Sequence, residues 1–307
     1  MSRGLVAALV VSLVLNVVLI GHTLPDARSS YPLLSPRIFV NNPNDTIINF
    51  TALRTDLRRI VGAEKRFRSG VYFEYLPSGV SIGVNEKDEF VTASLLKVPV
   101  IMGIYHMIET GKLNGNRMIT LKQTDLDPNF GNLWKRGAGA KLTVDEAVKL
   151  ALTESDNTAA LALDDLIPED PVLSVYNSLD IPVIIDHTQP VVSPKNYSSV
   201  LRCLYLSCYL SFANSQKLLD LLTQSVFTDS IPAGVPPTVK VAHKVGIYDQ
   251  PGSKNRVRSD CGIVYAPHRP YILCIFSALQ KGQESNVMDF VRAVSARVYA
   301  YVSEYSD

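Results

Sequence analysis

The chain has 307 residues, of which 47% are hydrophobic and 19% are charged, so it is long enough and apolar enough to bury a sizeable core. Its 30 Lys and Arg residues balance 29 Asp and Glu residues, and no dense basic patch is visible. This balance excludes an electrostatic case for nucleic acid as a partner, because binding to a phosphate backbone needs clustered positive charge.

The first segment, residues 1–24, is almost wholly apolar. Between Gly4 and Ile20 the apolar run is interrupted only by a serine and an asparagine. Together with the residues that follow, the run approaches the ~20 residues that a helix needs to cross a bilayer. Arg3 precedes the run, which favours a cytoplasmic N-terminus. We expect an uncleaved membrane anchor here, with a cleaved signal peptide as the alternative. In both cases the rest of the chain is exported.

The composition changes after the apolar segment. Residues 25–48 are rich in Pro, Ser and Asn, which predicts a linker that separates the anchor from the folded part. We expect residues 49–307 to form one hydrolase domain. The spacing of its cysteines matches no metal motif, and we expect neither a metal nor a cofactor.

The order of the predicted elements indicates an α+β domain. A surface helix and a hairpin come first, a long helical stretch follows, and three β-prone runs and a last helix end the chain. The elements are predicted at 50–67 (helix), 71–76 and 80–84 (hairpin strands), 94–109 (apolar helix), 111–227 (mostly helical), 239–247, 258–266 and 271–279 (strands) and 287–302 (helix). We expect a five-stranded antiparallel sheet flanked on one face by the N- and C-terminal helices. A large all-helical subdomain, inserted after the first hairpin, should cover the other face.

The four cysteines form two pairs by sequence position. Cys203 and Cys208 lie five residues apart in a predicted helix, which is poor geometry for a disulfide. Cys261 and Cys274 lie on two strands of a predicted hairpin whose register is unknown from the sequence. Four small buried thiols are the alternative to disulfides in an exported domain.

Three short motifs stand in order along the domain. They are Ser94-Leu95-Leu96-Lys97, Ser155-Asp156-Asn157 and Lys244-Val245-Gly246, the last on a predicted strand. Their order resembles the signature of the penicillin-recognising serine enzymes, the class A β-lactamases and the D-alanyl-D-alanine peptidases. The resemblance runs from about Phe50 to the C-terminus. It implies a hydrolase that forms an acyl-enzyme with a β-lactam or a D-alanyl peptide of the cell wall.

The first two motifs would supply the chemistry of acyl transfer. A serine hydroxyl is a poor nucleophile at neutral pH and needs a base. Ser94 would be the nucleophile at a helix N-terminus, and Lys97, one turn on, would be its base, because a lysine that is buried beside other cations loses proton affinity. Ser155 would relay a proton to the leaving nitrogen. By resemblance, the backbone N–H groups of Ser94 and Ile247 form the oxyanion hole.

The remaining motif residues would bind the substrate. Asn157 would hold the amide side chain of the substrate together with the catalytic lysine. Lys244 would attract the substrate carboxylate and support the proton relay, and Gly246 would let an extended substrate lie against the strand edge. Structural alternatives are a helix cap for Ser155-Asp156-Asn157 and a solvated strand position for Lys244.

The chain departs from the family pattern at two points. Val245 stands where the family usually has a hydroxyl residue that helps to hold the β-lactam carboxylate. Between Asp170 and Gln283 there is no glutamate to match the one that activates the deacylating water in class A β-lactamases. Asp186 or His187, within a predicted extended loop over 181–194, are candidate substitutes, and Lys97 is another. We therefore expect slow release of the acyl group.

These departures leave a second hypothesis open. A non-catalytic module that keeps the fold and binds cell-wall peptide or a protein partner would explain the valine and the missing glutamate. The intact Ser94, Lys97, Ser155 and Asn157 favour the enzyme.

Overall fold

The computed structural model describes Ser12, 32–33, 49–167, 171–186, 189–249 and 256–304. The predicted anchor over residues 1–24 lies outside this part of the chain apart from Ser12, and so does most of the predicted linker. In the ranges that are described, no helix combines the length and the apolar character needed to span a membrane.

Helices and strands follow one another in the order expected for an α+β domain. The elements are α1 (Thr51–Ala63), β1 (Arg68–Tyr75), β2 (Val80–Val84), β3 (Phe90–Val91), α2 (Lys97–Glu109), β4 (Met118–Thr120), β5 (Lys141–Thr143), α3 (Val144–Thr153), α4 (Asn157–Asp164), α5 (Pro171–Ser178), β6 (Ile184–Asp186), β7 (Gln189–Val192), α6 (Pro194–Leu206), α7 (Phe212–Leu222), β8 (Val241–Tyr248), β9 (Arg256–Val264), β10 (Tyr271–Leu279) and α8 (Glu284–Ser303).

The main sheet has five strands in the order β2-β1-β10-β9-β8, and every neighbouring pair is antiparallel. Successive side chains of a strand point to opposite faces, so each strand supplies two cores. Phe73 packs with Leu53 of α1 and Val294 of α8 on one face, whereas Tyr72 and Phe276 pack with the helical block on the other. The predicted sheet and its two helical layers are confirmed. Strand β8 lies at one edge of the sheet.

The region predicted as an extended loop over 181–194 contains two short strands instead. Strand β7 pairs with β3 on one side and with β6 on the other. Each strand is only two to four residues long, and Pro190 lies within β7. Strands this short carry too few residues for an alternating pattern, so they leave no signal in the sequence.

Both cysteine pairs form disulfides, so the expectation for the first pair was wrong. Helix α6 ends at Leu206, and Ser207 adopts a left-handed φ of 53° that turns the chain back on itself. The N–H of Cys208 then donates to the carbonyl of Cys203 at 3.0 Å, and the two Cα atoms lie 5.0 Å apart. Cys261 and Cys274 lie directly opposite each other on β9 and β10, with Cα atoms 4.0 Å apart.

One residue of the predicted linker packs against the domain. Leu33 is buried in the core of the helical block. Its N–H donates to Gln216 Oε1 at 2.9 Å, and its carbonyl accepts from the Tyr265 hydroxyl at 3.0 Å. This part of residues 25–48 is therefore attached to the folded part of the chain.

Candidate active site

The turn that carries Ser94 leads into helix α2. The sequence predicted one helix from Ser94 onward, but residues Ala93–Leu96 form a 3₁₀ turn and the α-helix begins at Lys97. A 3₁₀ turn has three residues per turn, so side chains at i and i+3 lie one above the other. Ser94 and Lys97 therefore project on the same side, and both are partly exposed.

Contacts from two other segments, β7 and α6, fix this turn. Ala93 has a left-handed φ of 47°, which is a strained conformation for a residue with a Cβ atom. The backbone N–H and the hydroxyl of Thr92 both donate to the carbonyl of Pro190, at 3.0 and 2.9 Å. On the other side of the turn, the buried Tyr197 hydroxyl donates to the carbonyl of Leu95 at 2.9 Å. Sequence reasoning missed these supports because they come from distant segments with no motif of their own.

Strand β8 lies close against the same turn. A Cβ atom at Gly246 would lie 3.0 Å from Leu95 Cγ and 3.0 Å from the carbonyl oxygen of Thr92. A side chain here would crowd the turn, so the glycine favours the close approach of β8. This reason differs from the substrate contact that the sequence suggested. The close approach brings the third motif to the first.

Lys97 joins the second motif to the first. Its Nζ donates to the carbonyl of Ser155 at 2.5 Å, to Asn157 Oδ1 at 2.7 Å and to Ser155 Oγ at 3.3 Å. Burial lowers the pKa of Lys97 from 10.5 to about 8, against the opposing charges of Asp156 and Asp127. A larger fraction of Lys97 side chains is then neutral near pH 7 than for a lysine in water. A neutral amine that projects on the same side of the turn as Ser94 can accept a proton.

The second motif lies between two helices and is shaped by its middle residue. Asp156 is fully buried and caps α4, since its Oδ1 accepts from the N–H of Ala159 at 2.8 Å while its Oδ2 accepts from the N–H of Leu133 at 2.9 Å. Ser155 is buried and has a left-handed φ of 56°. The motif is thus a helix cap, which was the structural alternative for these three residues. It also brings Ser155 and Asn157 to Lys97. Asp156 was not among the predicted site residues, although its type and place signal a cap.

Lys244 completes the cluster from β8. It is 1% exposed, and its Nζ donates to Ser155 Oγ at 2.8 Å and to the carbonyl of Val245 at 3.3 Å. Burial holds the pKa of Lys244 well below its usual range, and the charge of Lys97 lowers this pKa further. The charge of Asp260 acts in the opposite direction. A solvated strand position, the structural alternative for this lysine, does not agree with such burial.

Ser155 Oγ therefore lies between two lysine amines of lowered pKa. Such an arrangement can pass a proton from Lys97, through the Ser155 hydroxyl, to a group bound near Lys244. None of the acceptors that the two amines contact is a carboxylate, so neither amine is held as a fixed cation by an ion pair among the described residues.

The remaining predicted residues lie on β8 beside this cluster. Val245 is buried and pairs across the sheet with Asp260, whereas Ile247 is half-buried and pairs with Arg258. His243 Nδ1 lies 2.9 Å from Asp260 Oδ1, and both side chains are buried. This agrees with structural roles for His243 and Asp260. The contribution of the Ile247 N–H to an oxyanion hole stays a prediction.

The residue that would replace the missing glutamate is not found beside Lys97. The Nζ contacts of Lys97 within the described ranges are two oxygens of Ser155 and the amide oxygen of Asn157. Of the candidate substitutes, His187 and the side chain of Asp186 lie outside the described part of the chain. They stay predictions.

Comparison with known proteins gives a consistent set of relatives. A family model for the beta-lactamase enzyme family matches residues 52–302. Beta-lactamase CARB-3 of Pseudomonas aeruginosa is 22% identical over 254 residues, which cover 77% of this chain and 83% of that protein.

Solved structures share the fold. PBP-A superposes on this chain with a TM-score of 0.75 at 22% identity, and the match covers 83% of this chain and 97% of PBP-A. A mutant of PBP-A, solved as an acyl-enzyme complex with penicillin G, gives the same values. A beta-lactamase from Chitinophaga pinensis superposes with a TM-score of 0.74 at 20% identity, covering 81% of this chain and 99% of that one.

The family match runs through all three motifs and spans well over half of the chain. The likeness of the solved structures supports the same fold. The chain therefore belongs to the beta-lactamase enzyme family, as a serine hydrolase of the β-lactamase kind.

Proposed function

We propose that this protein forms an acyl-enzyme at Ser94 with a β-lactam or a D-alanyl peptide of the cell wall. The observation that carries the proposal is the linked set of hydrogen bonds from Lys97 through Ser155 to Lys244. It would supply a base on the same side of the turn as the nucleophile and a proton donor for the leaving group. A binding module without catalysis would not require two lysines of lowered pKa that both donate to one serine hydroxyl.

The acylation step follows from these positions. Ser94 Oγ attacks the carbonyl carbon while Lys97 Nζ takes the hydroxyl proton. The carbon–nitrogen bond then breaks, and the Ser155 hydroxyl gives its proton to the leaving nitrogen and is reprotonated by the neighbouring lysine amines. Developing charge on the carbonyl oxygen would be held by the backbone N–H groups of Ser94 and Ile247.

Release of the acyl group is the slow step in this proposal. A water molecule must attack the ester, and a carboxylate base next to Lys97 would activate it. The absence of a glutamate between Asp170 and Gln283 supports slow release, with Lys97 as the remaining base near the ester. The same water attack would still proceed, but at a low rate.

We also propose that the domain acts outside the cytoplasm, attached to the membrane by residues 1–24 or secreted after their cleavage. The apolar run from Gly4 to Ile20 supports export. The two disulfides support it as well, because disulfides persist in oxidising compartments. Cell-wall peptide would be accessible there.

Labelling with a fluorescent penicillin tests the acylation. The wild-type domain should become covalently labelled, and the Ser94→Ala variant should not, because the attacking oxygen is gone. No adduct on the folded wild type, or an adduct that survives Ser94→Ala, would contradict the proposal. Binding of cell-wall peptide without any adduct would favour the non-catalytic module instead.

A further inference from the structure

A loop over residues 126–132 lies against the start of α4, beside the second motif. The backbone N–H of Asp127 donates to Thr158 Oγ1 at 2.9 Å, and that hydroxyl lies 3.3 Å from the Asp127 carbonyl, to which it donates. The N–H of Asn157 donates to the carbonyl of Phe130 at 3.1 Å. Because Thr158 is fully buried, these bonds hold the loop at a fixed place next to Asn157.

Asp127 carries a negative charge on this loop. Its side chain is half-buried, and its Oδ1 accepts from the backbone N–H and from Nδ2 of Asn129, at 2.7 and 2.8 Å. Both donors are uncharged amides, so they orient the carboxylate without neutralising it.

The cations of the neighbouring segments have other partners. Lys122 and Arg136 flank the loop in the sequence, and each forms an ion pair with a different acidic residue. Lys135 donates to the amide oxygen of Asn132 at 2.7 Å. Within the described part of the chain, none of these cations forms an ion pair with Asp127.

The charge of Asp127 reaches the active-site cluster. Asn157 Oδ1 accepts from Lys97 Nζ at 2.7 Å, so the loop is separated from this lysine by one side chain. The charges of Asp156 and Asp127 both raise the pKa of Lys97. The amine of Lys244 is the other charged group that interacts with this lysine.

The two carboxylates near Lys97 differ in accessibility. Asp156 is fully buried, and each of its oxygens accepts from a backbone N–H. Asp127 is half-exposed on a loop beside the cleft. Of the two, Asp127 is therefore the one that a charged group of a substrate can approach.

We propose that Asp127 selects acyl donors whose side chain carries an ammonium group. The inference rests on the proposed acylation at Ser94 and narrows its substrate class. Asn157 would hold the side-chain amide of the donor, and a cation next to that amide is attracted by Asp127, whereas an anion there is repelled. The ring carboxylate of a penicillin would lie toward Lys244 instead, so penicillins as a class remain donors.

Three penicillins that differ at one side-chain carbon test the preference. At mildly acidic pH this carbon bears an ammonium group in ampicillin, only hydrogen in benzylpenicillin and a carboxylate in carbenicillin. The rate constant for acylation of Ser94, followed by intact mass, should be about three- to tenfold higher for ampicillin than for benzylpenicillin and lowest for carbenicillin. Equal rates, or the reverse order, would overturn the proposal.

Two variants with the same change in net charge locate the effect. Asp127→Asn should bring the ratio of the ampicillin and benzylpenicillin rates close to one, and the backbone bonds of the loop to Thr158 remain. Asp164→Asn is the matched control, because Asp164 is an exposed acid at the far end of α4 and should leave the ratio unchanged. A ratio that persists in Asp127→Asn, or that falls equally in both variants, would contradict the assignment.

The pH profile with benzylpenicillin checks the position of the carboxylate without using a charged donor side chain. Loss of the Asp127 charge lowers the pKa of Lys97, so the rise of acylation with pH should move to lower pH in Asp127→Asn. The variant should then acylate faster than the wild type where Lys97 is mostly protonated, which a merely damaged loop would not do. An unchanged profile would place the carboxylate away from the cleft and overturn the proposal.

The outcomes separate this inference from the function on which it rests. Labelling of Ser94 at equal rates by the three penicillins would leave the proposed acylation standing and overturn only the preference for a cation. If none of the three labels the folded domain, the proposed function fails, and the preference for a cationic acyl donor fails with it.

Discussion

Replacing Lys97 by alanine should slow acylation of Ser94 by about 100- to 10,000-fold, which is the usual contribution of a general base. The Ser94 hydroxyl keeps its place in the 3₁₀ turn, but no neutral amine remains beside it. Rates of labelling by a penicillin, followed by intact mass, measure the loss. Lys112→Ala, an exposed lysine that follows the same helix, should leave the rate unchanged.

The pH dependence of acylation shows whether Lys97 acts as a base. Its pKa is lowered to about 8, and only its neutral form can take the proton, so the rate should rise about tenfold per pH unit below that value and level off above it. Lys97→Arg keeps the positive charge at every pH and should be as slow as the alanine variant. A fast arginine variant, or a rate that does not change with pH, would show that Lys97 contributes only charge.

Gly131→Ala should destabilise the domain by about 3 kcal/mol more than the same change at Gly137. Both glycines have positive φ values, 80° and 77°, and a residue with a Cβ atom is strained by about 1–3 kcal/mol in such conformations. Of the two, only Gly131 would place the new Cβ against a neighbour, at 2.0 Å from Asp156 Oδ2. The buried carboxylate would have to leave the N–H groups that it caps.

Urea unfolding of the two glycine variants measures this difference. Because Asp156 lies between Ser155 and Asn157, the Gly131→Ala variant should also acylate more slowly under conditions in which it remains folded. Equal losses of stability in the two variants would mean that the buried cap contributes little.

The sequence was enough to predict the main sheet and the three motifs. The β-prone apolar runs of β1, β9 and β10 indicated buried strands, and the apolar pattern of α8 indicated a helix on the sheet. The meeting of Ser94, Ser155 and Lys244 was expected from the resemblance to the penicillin-recognising serine enzymes. The hydrogen bonds of Lys97 and Lys244 to Ser155 agree with that expectation.

Other features depend on contacts that no local pattern shows. The Cys203–Cys208 bond forms because Ser207 ends the helix that was predicted to contain both cysteines. The hydrogen bonds from Thr92 to the carbonyl of Pro190 depend on strands that are too short to show an alternation of apolar and polar residues. A cavity of about 370 Å³ beside Val245 is bounded by β8, β9 and α8 together. The valine was visible in the sequence, but the space that it faces was not.

Intact mass of the domain with benzylpenicillin, followed over time, tests the central claim most directly. The account predicts a single covalent adduct on Ser94 that forms readily, is absent from Ser94→Ala and decays slowly, because no carboxylate contacts Lys97 among the described residues. Rapid hydrolysis of nitrocefin would contradict slow release. Failure of the folded domain to form any adduct would contradict Ser94 as the nucleophile.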